Sequence, residues 1–263
     1  MRAGEVAPIY RRSSIRIRDI AKDARDYAAS VLPAGEIKQF CIVTTMRTGS
    51  ELLVDLLNSH EKIRCEGEIM TARPVFPLVL VRGRVRRAKY RGYQAYGFKI
   101  VSTHLIDFLN GPDRGFARRL ADEGFAFIHI RRRNVVRQVL SHLRARTDGE
   151  WHPTDGTEVT GTTVRIDPLI MIAQARLIEI HDDGLCWMLE DLPTRTLWYE
   201  DDLRDANAQQ STVDGICGML GIEPKPVRTS LKRIARPSLE DEIDNLEEIR
   251  RVISGTRYAE LLD

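Results

Sequence analysis

Short apolar runs alternate along the chain with segments in which apolar residues recur at helical spacing. This spacing is clearest after the first run, where Leu52, Leu53, Leu56 and Leu57 follow one another. Runs that are apolar on both faces and are separated by helices are typical of a parallel sheet sandwiched by helices, so the pattern predicts an α/β fold. The four predicted strands are FCIVTT (40–45), AYGFKIV (95–101), FAFIHI (125–130) and TRTLWYE (194–200).

Two parts of unequal length are predicted. Residues 1–38 form an N-terminal arm with a short amphipathic helix around Asp19 to Leu32. Residues 39–263 form a single domain, because 43% of the 263 residues are apolar, which suffices for one substantial core. Within this domain we predict a long helix from Pro168 to about Asp191 and a helical C-terminal third.

The composition favours a protein of a reducing compartment that has no membrane span. The four cysteines include no CxxC pair, and no apolar run approaches the roughly 18 residues that a spanning helix needs. The basic N-terminus is followed by a segment interrupted by charge, so it lacks the apolar core of a signal peptide. We therefore expect a cytoplasmic protein, and peripheral contact with a membrane surface is left open.

Arginines are clustered although the formal net charge is only +2. A net charge this small argues neither for nor against binding to nucleic acid. Clusters of arginine in a chain of small net charge, however, suggest an anionic ligand. We expect a small-molecule ligand and no nucleic acid. The clusters are Arg82, Arg84, Arg86, Arg87 and Arg91, and then Arg131, Arg132, Arg133 and Arg137.

The segment Met46–Glu51 lies between the first strand and the first helix, where phosphate-binding loops occur. The N–H groups and the dipole of a helix N-terminus attract anions, and Arg47 can fork onto two oxygens. The alternative is an ordinary helix N-terminus capped by Ser50, which is the commoner arrangement. Arg47 close to Gly49 makes the two interpretations about equal. The anion-binding candidates are Arg47, Thr48, Gly49, Ser50 and Glu51.

The same segment lacks the Gly-Lys-Ser/Thr ending of a nucleoside triphosphate loop. A kinase loop needs a Lys on the β- and γ-phosphates and a Ser or Thr on Mg²⁺. The strand FAFIHI is followed by arginines rather than by a metal-binding Asp. A P-loop-like small-molecule kinase is therefore kept only as an alternative, and no metal is expected.

Arg133 and Ser141 follow the third predicted strand. They lie just over two helical turns apart, so both can face the same side and grip one phosphate with a charge and a hydroxyl. Taken alone, a basic solvent-facing helix with Ser141 as a small packing residue is the better interpretation.

Five motifs occur in the order found in sulfotransferases that use 3′-phosphoadenosine-5′-phosphosulfate (PAPS). TTMRTGSELLVDLL resembles the loop that holds the 5′-phosphosulfate, and HIRRRNVVRQVLSHLRA resembles the family's 3′-phosphate element. The chain is similar to the bacterial carbohydrate type, which includes trehalose and Nod-factor sulfotransferases, over roughly residues 40–221. The other motifs are GFK (97–99), WH (151–152) and YEDDL (199–203).

This resemblance implies a P-loop-like sulfotransferase fold and the transfer of a sulfuryl group from PAPS to a carbohydrate or glycolipid hydroxyl, with 3′-phosphoadenosine-5′-phosphate (PAP) as the product. It implies that the first loop, from Arg47 to Glu51, holds the 5′-phosphosulfate, while Arg133 and Ser141 hold the 3′-phosphate. Three departures stand against it. Animal cytosolic sulfotransferases carry a Lys where this chain has Met46-Arg47, YEDDL has one extra Asp, and the N-terminal arm has no counterpart.

Sulfuryl transfer to a hydroxyl needs a base on the acceptor side. Glu68 matches the proton-accepting Glu of related carbohydrate sulfotransferases and His104 matches the His of cytosolic ones; we place Glu68 ahead. Glu66 could hold acceptor hydroxyls or raise the pKa of Glu68 by like-charge repulsion. Lys99 and Trp151 are further acceptor-site candidates. Without the resemblance, structural roles are about as well supported: Glu66 and Glu68 as surface carboxylates, His104 as a hydrogen-bonded structural residue and Trp151 as a core residue. For the whole protein, a non-catalytic protein that binds PAP is a third interpretation.

Overall fold

The structure is a computed structural model that describes residues 24–33, 35–71, 74–148, 163–231 and 238–262. Five strands form one sheet in the order β2-β3-β1-β4-β5, and each of the four pairings is parallel. The predicted α/β class, a parallel sheet flanked by helices, is confirmed. The strands are β1 (Lys38–Thr44), β2 (Ile63–Glu66), β3 (Ala95–Val101), β4 (Phe125–Arg131) and β5 (Thr194–Trp198).

Helices connect the strands and continue beyond the last one. Within the described ranges, no helix is long and apolar enough to cross a membrane. The helices between β1 and β5 are α1 (Ser50–Asn58), α2 (Pro77–Tyr90), α3 (Ser102–Leu109), α4 (Arg114–Asp122), α5 (Val135–Asp148) and α6 (Pro168–Leu189). Those after β5 are α7 (Tyr199–Asp202), α8 (Ala206–Leu220) and α9 (Leu246–Ile253).

The sheet is buried on both faces, as the double-sided apolar runs predict. Alternate residues of β1 enter two different clusters, because successive side chains of a strand point to opposite faces. Phe40 and Ile42 pack with α1 and α8, whereas Cys41 and Val43 pack with α2, α4 and α6. A third cluster joins α5, α6 and α9 beside the sheet.

Three local differences from the sequence prediction have physical reasons. The strand β2 was not predicted, because an alternation over only four residues is a weak signal, and the strand is stabilised by its pairing with β3. The run TRTLWYE ends as a strand at Trp198, and Tyr199 begins the short helix α7. In the C-terminal segment, residues 239–245 form turns rather than helix, with Leu239 and Ile243 buried in the third cluster.

The start of the predicted N-terminal helix lies outside the described residues. Residues 24–29 are helical, and Asp26 pairs with Arg84 and Arg87 of α2. The part of the N-terminal arm that is described is therefore held against the domain by α2.

Candidate active site

The segments that carry most of the predicted site residues follow the carboxyl ends of the strands. Because the strands are parallel, these ends lie along one edge of the sheet, where ligands bind in such folds. The first loop follows β1, Glu68 follows β2 and α3 with His104 follows β3. Arg133 follows β4 and α7 follows β5.

The first loop has the backbone of an anion-binding turn. Arg47 and Gly49 have positive φ angles of 59° and 84°, and α1 starts at Ser50 with Gly49 as its N-cap. The alternative in which Ser50 caps the helix is not what is found, since Ser50 is the first helical residue and the N-cap residue is Gly49. A glycine at the N-cap has no side chain that could accept from the N–H groups of the first turn, which favours an anion there.

Side chains behind the loop fix its shape. The Thr44 hydroxyl lies 2.9 Å from the Ile130 carbonyl oxygen and contacts the Thr48 hydroxyl. Gln138 of α5 donates from Nε2 to the Thr45 hydroxyl at 2.9 Å and to the Met46 carbonyl at 2.5 Å. The hydroxyls of Thr44 and Thr48 therefore serve the loop itself. Sequence reasoning missed Gln138, although a polar residue among buried valines and leucines of α5 is a signal for such a role.

Gly49 is required where it lies. A Cβ atom at this position would come within 2.7 Å of the Tyr199 ring, and its φ of +84° disfavours side chains in any case. The first loop is thus packed directly against α7.

Arg47 connects the two predicted anion-binding elements. Its Nε donates to the Ser141 hydroxyl of α5 at 3.0 Å, and its carbonyl oxygen accepts from Arg132 Nη1 at 3.1 Å. Burial lowers the pKa of the Arg47 guanidinium from its ordinary value, yet a guanidinium keeps its charge in proteins. The structure therefore places a half-buried cation between the first loop and α5.

Arg133 is held by the acidic turn that follows β5. Its guanidinium donates to both carboxylate oxygens of Asp201, at 2.7 and 2.5 Å, and lies 4.9 Å from the centre of the Trp198 ring. Glu200 accepts from the backbone N–H groups of Arg133 and Asn134, at 3.1 and 3.2 Å. Both predicted 3′-phosphate residues are therefore engaged within the chain, Arg133 by Asp201 and Ser141 by Arg47.

The acceptor-side candidates Glu68, His104 and Lys99 are in contact. Lys99 is almost fully buried, lies 3.1 Å from Glu68 Oε1 and forms an ion pair with Glu51 of α1. His104 Nε2 lies 3.1 Å from Glu68 Oε2. The hydrogen bond with His104 is the main cause that lowers the pKa of Glu68 to about 2, against the opposing effect of burial, and Lys99 lowers it further. The two candidate bases thus form one hydrogen-bonded pair.

Glu66 lies apart from this group. Its carboxylate accepts from Arg84 Nη1 at 2.5 Å and lies 3.3 Å from the Tyr96 hydroxyl. Strand alternation puts Tyr96 and Lys99 on opposite faces of β3. The expectation that Glu66 raises the pKa of Glu68 is wrong, because that pKa is lowered and Glu66 is not among its causes. Trp151, with the neighbouring His152, lies outside the described residues.

No cluster of three or more His, Cys, Asp or Glu side chains that could hold a metal ion occurs among the residues the structure describes.

The low pKa of Glu68 predicts a pH dependence of stability. Its carboxylate contributes fully above the unfolded pKa of about 4.3, and the contribution is lost as the pH falls through about 2. We expect the difference in free energy of unfolding between wild type and Glu68→Gln to shrink between about pH 5 and about pH 2. Urea unfolding at a series of pH values measures this difference, and a constant value across the window would contradict the assigned contacts.

Comparisons with known proteins give structural similarity only. No protein-family model matches the sequence, and no curated protein matches it. The chain is similar to the crystal structure of a sulfotransferase from Alicyclobacillus acidocaldarius, with a TM-score of 0.47 and 15% identity over 87% of this chain and 96% of that chain. It is also similar to the sulfotransferase domain of the Synechococcus PCC 7002 olefin synthase, with a TM-score of 0.40 and 15% identity over 73% of this chain and 76% of that chain.

Proposed function

We propose that the protein transfers a sulfuryl group from PAPS to a hydroxyl of a carbohydrate or glycolipid acceptor. The proposal rests on the sequence motifs and on one observation, the hydrogen bond from Arg47 to Ser141. This contact joins the element that would hold the 5′-phosphosulfate to the element that would hold the 3′-phosphate. Both phosphates of one nucleotide would thus be bound by adjoining parts of the same sheet edge.

On the donor side, the first turn of α1 supplies backbone N–H groups and Arg47 supplies a positive charge. The sulfuryl group develops spread negative charge in a loose transition state, as in phosphoryl transfer, and fixed donors stabilise such charge. The residues from Arg47 to Glu51 would surround the 5′-phosphosulfate. Arg133 and Ser141 would bind the 3′-phosphate.

On the acceptor side, Glu68 would take the proton. The acceptor oxygen forms a bond to sulfur while the bond between sulfur and the 5′-phosphate oxygen breaks, and the hydroxyl proton passes to the Glu68 carboxylate. The hydrogen bond with His104, and to a lesser extent Lys99, lowers the pKa of Glu68 and so favours its ionised form. Because Glu51 also binds Lys99, the same amine links the base to the first helix turn of the donor loop.

A thermal-shift measurement with PAP tests the proposal. PAP should raise the melting temperature without a divalent metal, because the candidate contacts are N–H, Arg and Ser groups. At about a hundredfold excess over Kd, binding stabilises by about 2.7 kcal/mol, or about 5–10 °C for a chain of this size. Arg133→Ala should abolish the shift and Ser141→Ala should weaken it.

The matched control is Arg82→Ala. Arg82 is as exposed as Arg133, at 49%, and is also paired with a carboxylate, that of Glu123. Glu123 precedes β4, at the opposite edge of the sheet, so this variant should keep the full PAP shift. Unchanged PAP affinity in Arg133→Ala would overturn the 3′-phosphate assignment. Stabilisation by ATP with Mg²⁺ but not by PAP would favour the kinase, and PAP binding without turnover on any sugar would favour the non-catalytic protein.

A further inference from the structure

The acidic turn α7 contains one carboxylate whose role differs from that of its neighbours. Asp202 accepts from the Trp198 N–H at 2.6 Å, and Glu200 accepts from the N–H groups that precede α5. These two carboxylates therefore fix the backbone of the turn and of the segment before α5. Asp201 is 58% exposed and binds the guanidinium of Arg133 through both oxygens.

Asp201 binds Arg133 as a bidentate oxyanion ligand, with one carboxylate oxygen on each of two guanidinium N–H donors. Phosphate and carboxylate bind a guanidinium in the same two-pronged way. A phosphate that bound Arg133 in this way would have to displace the carboxylate of Asp201.

A neighbouring pair shows the contrast. Arg131 binds Asp182 at 2.8 and 2.5 Å, and this pair is less exposed than the pair of Arg133 and Asp201, with His129 at 3.2 Å from the same carboxylate. The guanidinium of Arg131 lies 4.7 Å from the centre of the Trp198 ring that Arg133 also contacts. Arg131 and Asp182 are held in addition by His129, whereas Arg133 and Asp201 are about half exposed and can separate into solvent.

We propose that Asp201 is an internal competitor for the 3′-phosphate of the nucleotide. It occupies Arg133 in the free protein and is displaced when PAPS or PAP binds, so it weakens both and helps the product PAP to leave. This inference rests on the proposed function, because it takes Arg133 as the 3′-phosphate ligand. Trp198 keeps Arg133 in place while the carboxylate turns away.

The test compares two nucleotides on Asp201→Asn by isothermal titration calorimetry. PAP should bind roughly two- to fivefold more tightly than to wild type, the range expected for loss of a competing exposed ion pair. Adenosine 5′-monophosphate has no 3′-phosphate and leaves Arg133 untouched, so its affinity should not change. In the Arg133→Ala background, where PAP binding is already expected to be lost, Asp201→Asn should not restore it.

Glu61→Gln is the matched control for the charge change. Glu61 is 61% exposed, is paired with Lys225 at 2.6 Å and precedes β2 at the opposite edge of the sheet. It should alter neither affinity. An equal gain for both nucleotides would mean a general loss of negative charge and would overturn the inference.

Unchanged or weaker PAP binding by Asp201→Asn, with normal binding by wild type, would overturn the inference and leave the proposed function standing. Asp201→Ala should behave as Asp201→Asn, and ligand-free melting curves verify that both variants fold. Failure of PAP to bind wild type and variants alike would contradict the proposed function and this inference with it.

Discussion

Replacing Glu68 with Gln is expected to lower kcat by about 10²- to 10⁴-fold, the usual cost of losing a general base. Gln keeps the shape of the side chain and its capacity for hydrogen bonds but cannot take the proton. The fold should survive, because buried Lys99 retains Glu51 as its partner. PAP affinity, measured by calorimetry, should therefore stay near the wild-type value while single-turnover rates fall.

His104→Asn is the companion variant for this experiment. The hydrogen bond with His104 is the main cause of the low pKa of Glu68, so its loss should raise that pKa towards the ordinary value. Glu68 would still be ionised at neutral pH, and the loss of kcat should be much smaller than in Glu68→Gln. The acid limb of the pH–rate profile should move to higher pH. A nearly normal Glu68→Gln enzyme together with an inactive His104→Asn enzyme would transfer the role of base to His104.

Arg47→Ala is expected to lower turnover by about 10²- to 10³-fold, as removal of one preorganised donor does in other enzymes. PAP affinity should fall much less, because Arg47 would meet charge that grows on the sulfuryl group during transfer. Steady-state kinetics with PAPS and calorimetry with PAP give the two quantities separately.

Arg47→Lys is the control that separates the effect of the positive charge from that of the guanidinium geometry. Lys keeps the positive charge but cannot bind two oxygens in a fork, nor reproduce the Nε contact with Ser141. Its turnover should lie between those of wild type and Arg47→Ala. If PAP affinity drops in step with turnover in Arg47→Ala, then Arg47 is only an anchor for the bound nucleotide.

The strands and the edge that carries the site could be predicted because both depend on local apolar patterning. In a parallel sheet, a residue that follows a strand lies at the carboxyl edge, whichever helix comes next. That rule placed the first loop, Arg133 and His104 together without any tertiary information. The short strand β2 escaped prediction because its alternating pattern covers only four residues.

The partners of the site residues could not be predicted, because they come from distant parts of the chain. Helical spacing indicated that Arg133 and Ser141 can face the same side, but it did not reveal that Asp201 and Arg47 contact them. Glu66 and Glu68 look equivalent in the sequence. The strand β2 ends at Glu66 and Glu68 lies in the turn that follows, so Glu66 pairs with Arg84 whereas Glu68 pairs with Lys99.

The contact between Gly49 and Tyr199 has a consequence for how the chain can evolve. A methyl group at position 49 would press on the Tyr199 ring at 2.7 Å and displace α7, which carries Glu200 to the segment before α5 and Asp201 to Arg133. One substitution in the first loop would thus also disturb the contacts of Arg133. Position 49 is therefore restricted to glycine twice, by its backbone conformation and by the Tyr199 ring, and a smaller residue at position 199 would remove only the second restriction.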